Sequence, residues 1–232
     1  MLCDEPANTR IPLCTSCESE LPWLVARCRL CALPLSNAGL LCGECLHSPP
    51  TFDHVEAVWR YTFPIDSLIN RFKHHANWPL GRLMGALLAS HLQHAFSEGL
   101  RRPDQLVPVP LARSRERQRG FNQAAMLSRW LSAALAIPSE ERWLQRSRDT
   151  AAQQTLKAQA RRHNLCQAFT LMPRAAVRGR HVALVNDVLT TGATCEALAQ
   201  LLRQNGAARV DVYCLARTPK PGAPDGGATP AV

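Results

Sequence analysis

Apolar residues follow two patterns along this chain, short continuous runs and helical repeats. Residues 182–185 are four consecutive apolar residues, two of them β-branched, which predicts a strand buried on both faces of a parallel sheet. Residues 52–61 and 209–216 predict two further strands, and the prolines within residues 106–111 indicate a strand that ends in a loop. Apolar residues recur at helical spacing in four segments, residues 65–75, 80–96, 124–135 and 196–203. Strands and helices in this order predict an α/β fold with a parallel sheet flanked by helices.

Proline-rich and polar stretches divide the chain. The break at residues 48–50 predicts a boundary between a small module, residues 1–50, and a larger domain, residues 51–218. The tail, residues 219–232, is rich in Pro, Gly and Ala, and we expect it to be disordered. Residues 137–170 are polar and predict a mobile cover over an active site, the alternative being a solvated helical hairpin.

The composition is that of a protein outside the membrane. Hydrophobic residues make up 46% of the 232 residues, which is enough for a core. The longest apolar run, residues 83–89, falls short of the roughly 20 residues that a membrane helix needs. The N-terminus lacks the basic and apolar regions of a signal peptide, so we expect a cytoplasmic protein.

Positive charge is concentrated in the middle of the chain. The formal net charge is +9, and residues 101–180 hold sixteen Lys and Arg against five Asp and Glu. Such a stretch fits phosphate or a nucleic-acid backbone, although 24 of the 27 cations are Arg, a bias that a GC-rich genome would also produce. The candidate nucleic-acid-binding residues are Arg113, Arg115, Arg117, Arg161 and Arg162.

Arginines occupy every second position from Arg113 to Arg119. On a helix this spacing would scatter their side chains around the cylinder, so we predict an extended loop. Phe121, Trp143 and Phe169 are candidates for stacking on bases.

Cysteines are concentrated near the N-terminus, where seven of the ten lie within the first 45 residues. Six of them form three C-x-x-C pairs, Cys14 and Cys17, Cys28 and Cys31, Cys42 and Cys45. Two such pairs complete a tetrahedral zinc site, so we predict a structural zinc-binding module; a redox dithiol and an iron–sulfur cluster are the alternatives. A module of this size depends on its metal for folding free energy on the order of 10 kcal/mol.

The spacing favours one zinc site made by the second and third pairs, because the ten residues between Cys31 and Cys42 suit a hairpin. Cys14 and Cys17 then lack a second pair, although they can also pair with Cys28 and Cys31. Cys3 adds one ligand and resembles the second half of a C-x-x-C, so we expect the start of this chain to be truncated. The three remaining cysteines, Cys166, Cys195 and Cys214, are predicted to be small buried residues.

A loop of small residues follows the strand predicted at residues 182–185. Thr190, Thr191, Gly192, Ala193 and Thr194 separate this strand from a helix. Hydroxyl groups and the N–H groups of a helix start together form a cradle for phosphate. The loop lacks the Lys of a nucleotide P-loop, and the chain has no G-x-G-x-x-G.

Residues 182–194 are similar to the phosphoribosyl-pyrophosphate motif of type I phosphoribosyltransferases, an apolar strand, two acidic residues, two variable residues and Thr-Thr-Gly-x-Thr. With the cysteine pairs, residues 108–111, residues 119–123, and Gln153, Arg161 and Asn164, nearly the whole chain resembles the ComF family. The resemblance implies a type I phosphoribosyltransferase-like domain behind a zinc module. It also implies a role in natural transformation, in which single-stranded DNA crosses the cytoplasmic membrane inward.

The resemblance also implies roles for individual residues. Thr190 to Thr194 would hold the 5′-phosphate, and Arg119 would lie near the pyrophosphate, with Arg161 in the mobile cover. Asn186 and Asp187 occupy the two acidic positions that face the ribose hydroxyls. The amide at position 186 removes one negative charge near the Mg²⁺ that accompanies the pyrophosphate, so we expect weakened metal-dependent binding.

Two functions follow from this resemblance. The first is a phosphoribosyl-pyrophosphate-binding protein in DNA uptake, with single-stranded DNA and other DNA-uptake proteins as further partners. The alternative is an active phosphoribosyltransferase on a nucleobase-like or amine acceptor, in which Asp187 would stabilise the positive charge that develops on the sugar.

Overall fold

The computed structural model of the chain describes residues 3, 5, 12–147 and 168–220. Its strands are β1 (His54–Arg60), β2 (Gln105–Pro108), β3 (Leu144–Arg146), β4 (Phe169–Leu171), β5 (His181–Leu189) and β6 (Arg209–Arg217). Its helices are α1 (Thr15–Ser19), α2 (Gly43–His47), α3 (Ile65–His75), α4 (Trp78–Ser97), α5 (Arg113–Arg119), α6 (Gln123–Leu135) and α7 (Ala193–Gln204). The predictions for Arg161, Arg162 and Cys166, and for the tail beyond residue 220, lie outside the described residues.

Four strands form the central sheet in the order β1, β6, β5, β2, and every neighbouring pair is parallel. Residues 182–185 are completely buried in β5, as their apolar run predicts. This strand continues to Leu189, so Asn186 and Asp187 lie within it. The predicted α/β architecture of a parallel sheet flanked by helices is confirmed.

The two faces of the sheet belong to separate hydrophobic cores. Val182 and Leu184 point into a core that includes α7 and the buried cysteines near the N-terminus. Ala183 and Val185 point into a second core, which α3, α4 and α6 complete. Side chains of a strand alternate between faces, so continuous apolar residues in β5 serve both cores at once.

The cysteine-rich module packs directly against the edge of the sheet. The indole rings of Trp23 and Trp59 lie 5.7 Å apart, and Arg27 donates a hydrogen bond of 2.9 Å to the carbonyl of Ala57 in β1. Thr51, just after the module, donates to both carboxylate oxygens of Glu196 in α7, at 2.9 Å from its N–H and 2.6 Å from its hydroxyl. Module and sheet therefore share side-chain contacts as well as a core.

The structure overturns the prediction of an extended loop at residues 113–119, which form helix α5. Arg, Glu and Gln are good helix formers, and Gly120 ends the helix with a φ of +80°. The prediction from the spacing of the arginines was wrong because α5 buries none of its residues. A helix without a buried face shows no apolar repeat in its sequence.

The described ends of the predicted mobile cover, residues 137–147 and 168–170, contain two strands, and its middle, residues 148–167, lies outside the described residues. Strands β3 and β4 pair antiparallel, and Trp143 and Phe169 are buried beside them. Neither ring is therefore available for stacking on bases. None of the helices in the described part of the chain combines the length and the apolar character that crossing a bilayer requires.

Candidate functional site

A cavity of about 200 Å³ lies where β5 ends and α7 begins. Its wall also includes residues 109–111 after β2, the first turn of α6, and side chains from α3 and α5. Parallel strands present their carboxyl ends at one edge of a sheet, which is where α/β folds bind their ligands. The predicted residues Thr190, Thr191, Gly192, Ala193 and Thr194 all line this cavity.

The small-residue loop is shaped by Gly192. Its φ of +79° lies in the left-handed region that favours glycine, and it is the residue that precedes the first turn of α7. The N–H of Ala193 donates to the Thr191 hydroxyl at 3.4 Å. Hydroxyls and the first N–H groups of an α-helix thus face one small volume, the arrangement that binds phosphate.

Asn186 and Asp187 lie side by side at the cavity, and both are already hydrogen-bonded. The Asn186 amide donates to the carbonyl of Val188 at 2.8 Å, and Asp187 Oδ1 accepts from the Val188 N–H at 2.7 Å. Asp187 Oδ2 lies 3.0 Å from Lys73 Nζ, and each of these two side chains is only 15% exposed. The carboxylate of Asp187 therefore forms a largely buried ion pair at the cavity.

Lys73 lines the cavity although no motif in the sequence indicates it. It lies in the last turn of α3, more than a hundred residues before the loop that it faces. The one signal in the sequence was that this residue is a lysine, because the chain has only three lysines among its 27 cationic residues.

The cavity is strongly cationic. Lys73, Arg115, Arg119 and Arg146 line it, against the single carboxylate of Asp187 among the described residues. Arg115 and Arg119 are four positions apart in α5 and so share one helix face. A cavity with these side chains attracts a ligand that carries several negative charges.

The donor set around Asp187 does not fit a magnesium ion held by the protein. Magnesium prefers carboxylate and water oxygens in an octahedral arrangement. Position 186 offers an amide, and both oxygens of Asp187 are engaged, one by a backbone N–H and one by an ammonium. An ion at Asp187 would have to displace Lys73 or lie against its positive charge.

Four of the predicted metal ligands meet in one cluster. The sulfur atoms of Cys28, Cys31, Cys42 and Cys45 all lie within 4.8 Å of one another. Burial alone raises the pKa of Cys28, but N–H groups of Cys31, Cys42 and Leu30 outweigh it and lower the pKa to about 7. A thiolate is the form that binds zinc, so this backbone favours the ligand state.

Cys14 and Cys17 lie in a different group, together with Cys3. The sulfurs of Cys3 and Cys14 are 3.3 Å apart, and the N–H of Cys17 donates to Cys14 at 3.4 Å. The structure therefore groups this pair with Cys3 instead of with Cys28 and Cys31.

A buried arginine connects the first cysteine cluster to the phosphate-type loop. Arg217, at the end of β6, is 5% exposed. Its Nε donates to the carbonyl of Cys31 at 3.0 Å, and its Nη1 donates to the carbonyl of Leu189 at 3.0 Å and also to that of Thr190. One guanidinium thus joins a cysteine of the cluster to the residue that begins the loop.

The candidate nucleic-acid-binding residues separate into two sets. Arg115 lines the cavity with Arg119, whereas Arg113 and Arg117 are not among the residues that line it. Helix α5 is the reason, because residues four apart share a face and residues two apart do not. Cys195 and Cys214 are buried, as predicted.

Comparison with known proteins identifies two domains. Residues 1–46 match the double zinc ribbon domain, and residues 117–227 match the phosphoribosyl transferase domain. The first match and the four-cysteine cluster together support a structural zinc ion.

The chain is also similar to whole proteins. It is 38% identical over 207 residues to the DNA utilization protein YhgH of Escherichia coli (strain K12), which covers 89% of this chain and 90% of that protein. It is 35% identical over 207 residues to competence protein F of Haemophilus influenzae, covering 88% of this chain and 90% of that protein. A solved purine phosphoribosyltransferase from Pyrococcus horikoshii aligns with 58% of this chain and 70% of its own at 18% identity, with a TM-score of 0.36.

Proposed function

The chain belongs to the ComF family of competence proteins, and from this membership we propose that it binds phosphoribosyl pyrophosphate and acts in the import of single-stranded DNA. The proposed role places it on the cytoplasmic side of the membrane through which the strand enters. The observation that carries the proposal is the cationic cavity at residues 190–194, because a sugar bearing a phosphate and a pyrophosphate matches both its loop and its charge.

Each part of the ligand has a matching part of the cavity. The hydroxyls of Thr190, Thr191 and Thr194 and the first N–H groups of α7 bind the 5′-phosphate. Asp187 and Asn186 accept hydrogen bonds from the ribose hydroxyls. Arg115 and Arg119 bind the pyrophosphate with planar guanidinium groups. The magnesium ion that the resemblance implies does not fit the residues around Asp187, so no contact here depends on it.

Single-stranded DNA is the second proposed partner. Arg113 and Arg117 project from α5 away from the cavity, next to the residues that line it. Exposed guanidinium groups bind phosphates of a DNA backbone without regard to sequence. Other DNA-uptake proteins remain proposed partners on the family resemblance alone.

Calorimetric titration with phosphoribosyl pyrophosphate tests the ligand. We expect saturable binding to the wild type and about a tenfold or larger loss in Thr191→Ala, because a hydrogen bond to a charged group is removed. Thr170→Ala is the matched control, since Thr170 is exposed on β4 outside the cavity. A folded wild-type protein that gives no binding would refute the proposal.

Fluorescence anisotropy with a labelled oligonucleotide at several salt concentrations tests the DNA arm. We expect the affinity for the oligonucleotide to fall steeply with salt. Each phosphate contacted should contribute about 0.7 to the slope of log affinity against log salt concentration. Absence of binding even at low salt would remove DNA from the proposal. Pyrophosphate release is measured on the same preparation in the presence of nucleobases. Release would show that the protein is an active phosphoribosyltransferase and not only a binding protein.

A further inference from the structure

We propose that Lys73 takes the place of a divalent metal ion in this cavity, so that phosphoribosyl pyrophosphate binds without Mg²⁺. The inference rests on the proposed function, because it concerns how the same ligand is held. It assigns to an ammonium group the neutralisation that the resemblance would assign to a metal.

The first support is the position of the ammonium group. Lys73 Nζ lies 3.0 Å from Asp187 Oδ2, at the acidic position that faces the ribose. An ammonium carries three N–H donors, so its bond to Asp187 uses only part of its capacity. A ligand oxygen that enters beside Asp187 therefore meets a positive charge that is already in place.

The second support is that the side chains of Asn186 and Asp187 already have hydrogen-bond partners within the protein. Asn186 is neutral, and its amide donates to the carbonyl of Val188. Asp187 accepts from the Val188 N–H through one oxygen and from Lys73 through the other. A divalent ion gains little from a carboxylate whose charge an ammonium already balances, and two cations at this spacing repel each other.

The third support is the anchoring of Lys73. Its neighbour Phe72 is fully buried, with its ring centroid 5.6 Å from that of Phe121 and 5.9 Å from that of Trp130. This packing fixes the last turn of α3, where Lys73 also lies at the negative end of the helix dipole. The ammonium is therefore held at the cavity before any ligand arrives, which lowers the entropic cost of binding.

The remaining charge of the ligand is met by arginines. Arg115, Arg119 and Arg146 line the same cavity, so four cations face a ligand whose two phosphorylated ends both carry negative charge. Guanidinium and ammonium groups bind phosphate oxygens directly by charge-assisted hydrogen bonds. Cations of the protein therefore meet the phosphate oxygens of the ligand without a metal ion between them.

The test is calorimetric titration of the full chain with phosphoribosyl pyrophosphate, with and without millimolar Mg²⁺. Divalent ions are removed from the buffer with a chelating resin, because a dissolved chelator would compete for the cysteine-bound zinc. We expect the wild-type dissociation constants in the two buffers to agree within a factor of about three.

Three variants isolate the role of Lys73. Lys73→Met keeps the length of the side chain and should weaken magnesium-free binding about tenfold or more. Arg71→Met removes one charge from the same helix at an exposed position outside the cavity and should bind like the wild type. Asn186→Asp restores the second carboxylate and should make the affinity rise when Mg²⁺ is added.

The outcomes separate this inference from the function on which it rests. Binding by the wild type only when Mg²⁺ is present overturns the inference and leaves the proposed ligand intact. Binding in neither buffer refutes the proposed function itself. Lys73→Met that binds like the wild type without magnesium removes Lys73 from the site. Circular dichroism and zinc content verify folding, and Lys73→Gln replaces the Met variant if that variant is unfolded.

Discussion

At the scale of single residues, Glu56 is a buried charge outside the cavity that three side chains hold. Its carboxylate is almost completely buried in β1 and accepts 2.7 Å hydrogen bonds from His54 and His91. Arg27 of the cysteine-rich module donates to both of its oxygens, at 2.9 and 2.7 Å. Burial alone would raise the pKa of Glu56, but these three partners outweigh it and hold the pKa well below its usual range.

Replacement of this carboxylate should cost stability. We expect Glu56→Gln to lower the free energy of unfolding by about 3 kcal/mol near neutral pH, because it leaves Arg27 without its buried counter-charge. Glu141→Gln is the control, since Glu141 pairs with Arg129, which is 60% exposed, and should change stability by less than about 1 kcal/mol. Urea unfolding of the three proteins measures both differences.

The stabilisation by Glu56 should also depend on pH. The native pKa of Glu56 is depressed, so its stabilisation is complete above the unfolded-state pKa of about 4.3 and is lost as the pH falls below that value. The stability difference between wild type and Glu56→Gln should therefore shrink between about pH 5 and pH 3. We expect both proteins to release zinc on acidification, and the difference between them cancels that shared effect. A difference that grows on acidification would contradict the assignment.

At the scale of secondary-structure elements, α5 places its arginines on two faces. Arg115 and Arg119 line the cavity, whereas Arg113 and Arg117 lie on another face of the helix. In the extended loop predicted from the sequence, alternate side chains would all point the same way. The helix instead gives the cavity and the surface two arginines each.

Two double variants that remove the same charge test this division. Arg115→Ala with Arg119→Ala should weaken binding of phosphoribosyl pyrophosphate about tenfold or more, because two charge-assisted contacts are lost, and should leave the salt dependence of DNA binding unchanged. Arg113→Ala with Arg117→Ala should lower the salt slope of DNA binding by about 1.4, at 0.7 per phosphate, and leave the sugar phosphate unaffected. Each variant is the control for the other, and equal effects of both on both ligands would refute the division.

Elements with strong periodicity could be predicted from the sequence, and elements without it could not. Helix α3 has the bounds that its apolar spacing predicts, and β5 contains the predicted run. Helix α5 was missed because it has no buried face, and β3 and β4 were missed because each has only three residues. The motif at residues 182–194 identified the loop, but Lys73 and Arg217 reach it from distant segments, and only tertiary packing brings them there.

At the scale of the whole molecule, Arg217 links the zinc module to the ligand cavity. It donates to the carbonyl of Cys31 and to the carbonyls of Leu189 and Thr190. The Cys31 carbonyl accepts from Nε, whereas the carbonyls of Leu189, Thr190 and Thr218 share Nη1, and a buried N–H that loses its acceptor is costly. Movement of the Cys31 backbone on loss of zinc would therefore disturb the start of the loop that we propose binds phosphate.

This link predicts thermodynamic coupling between zinc and phosphoribosyl pyrophosphate. Zinc-depleted protein should bind the sugar phosphate about tenfold more weakly than zinc-restored protein, within the usual range of coupling energies. Coupling is reciprocal, so the sugar phosphate should raise the affinity for zinc by the same factor, which competition with a coloured zinc chelator measures.

The coupling should depend on the guanidinium of Arg217. Arg217→Lys keeps the charge but loses the fork that reaches both segments, so the zinc dependence of ligand affinity should fall towards unity. Arg129→Lys, at an exposed position in α6, should keep the zinc dependence of ligand affinity. If Arg217→Lys folds, retains zinc and shows undiminished coupling, then the two sites communicate through another route, of which the contact between Thr51 and Glu196 is the next to test. In that case the residue that follows the zinc module, Thr51, connects it to the cavity through the start of α7 instead of through the end of β5.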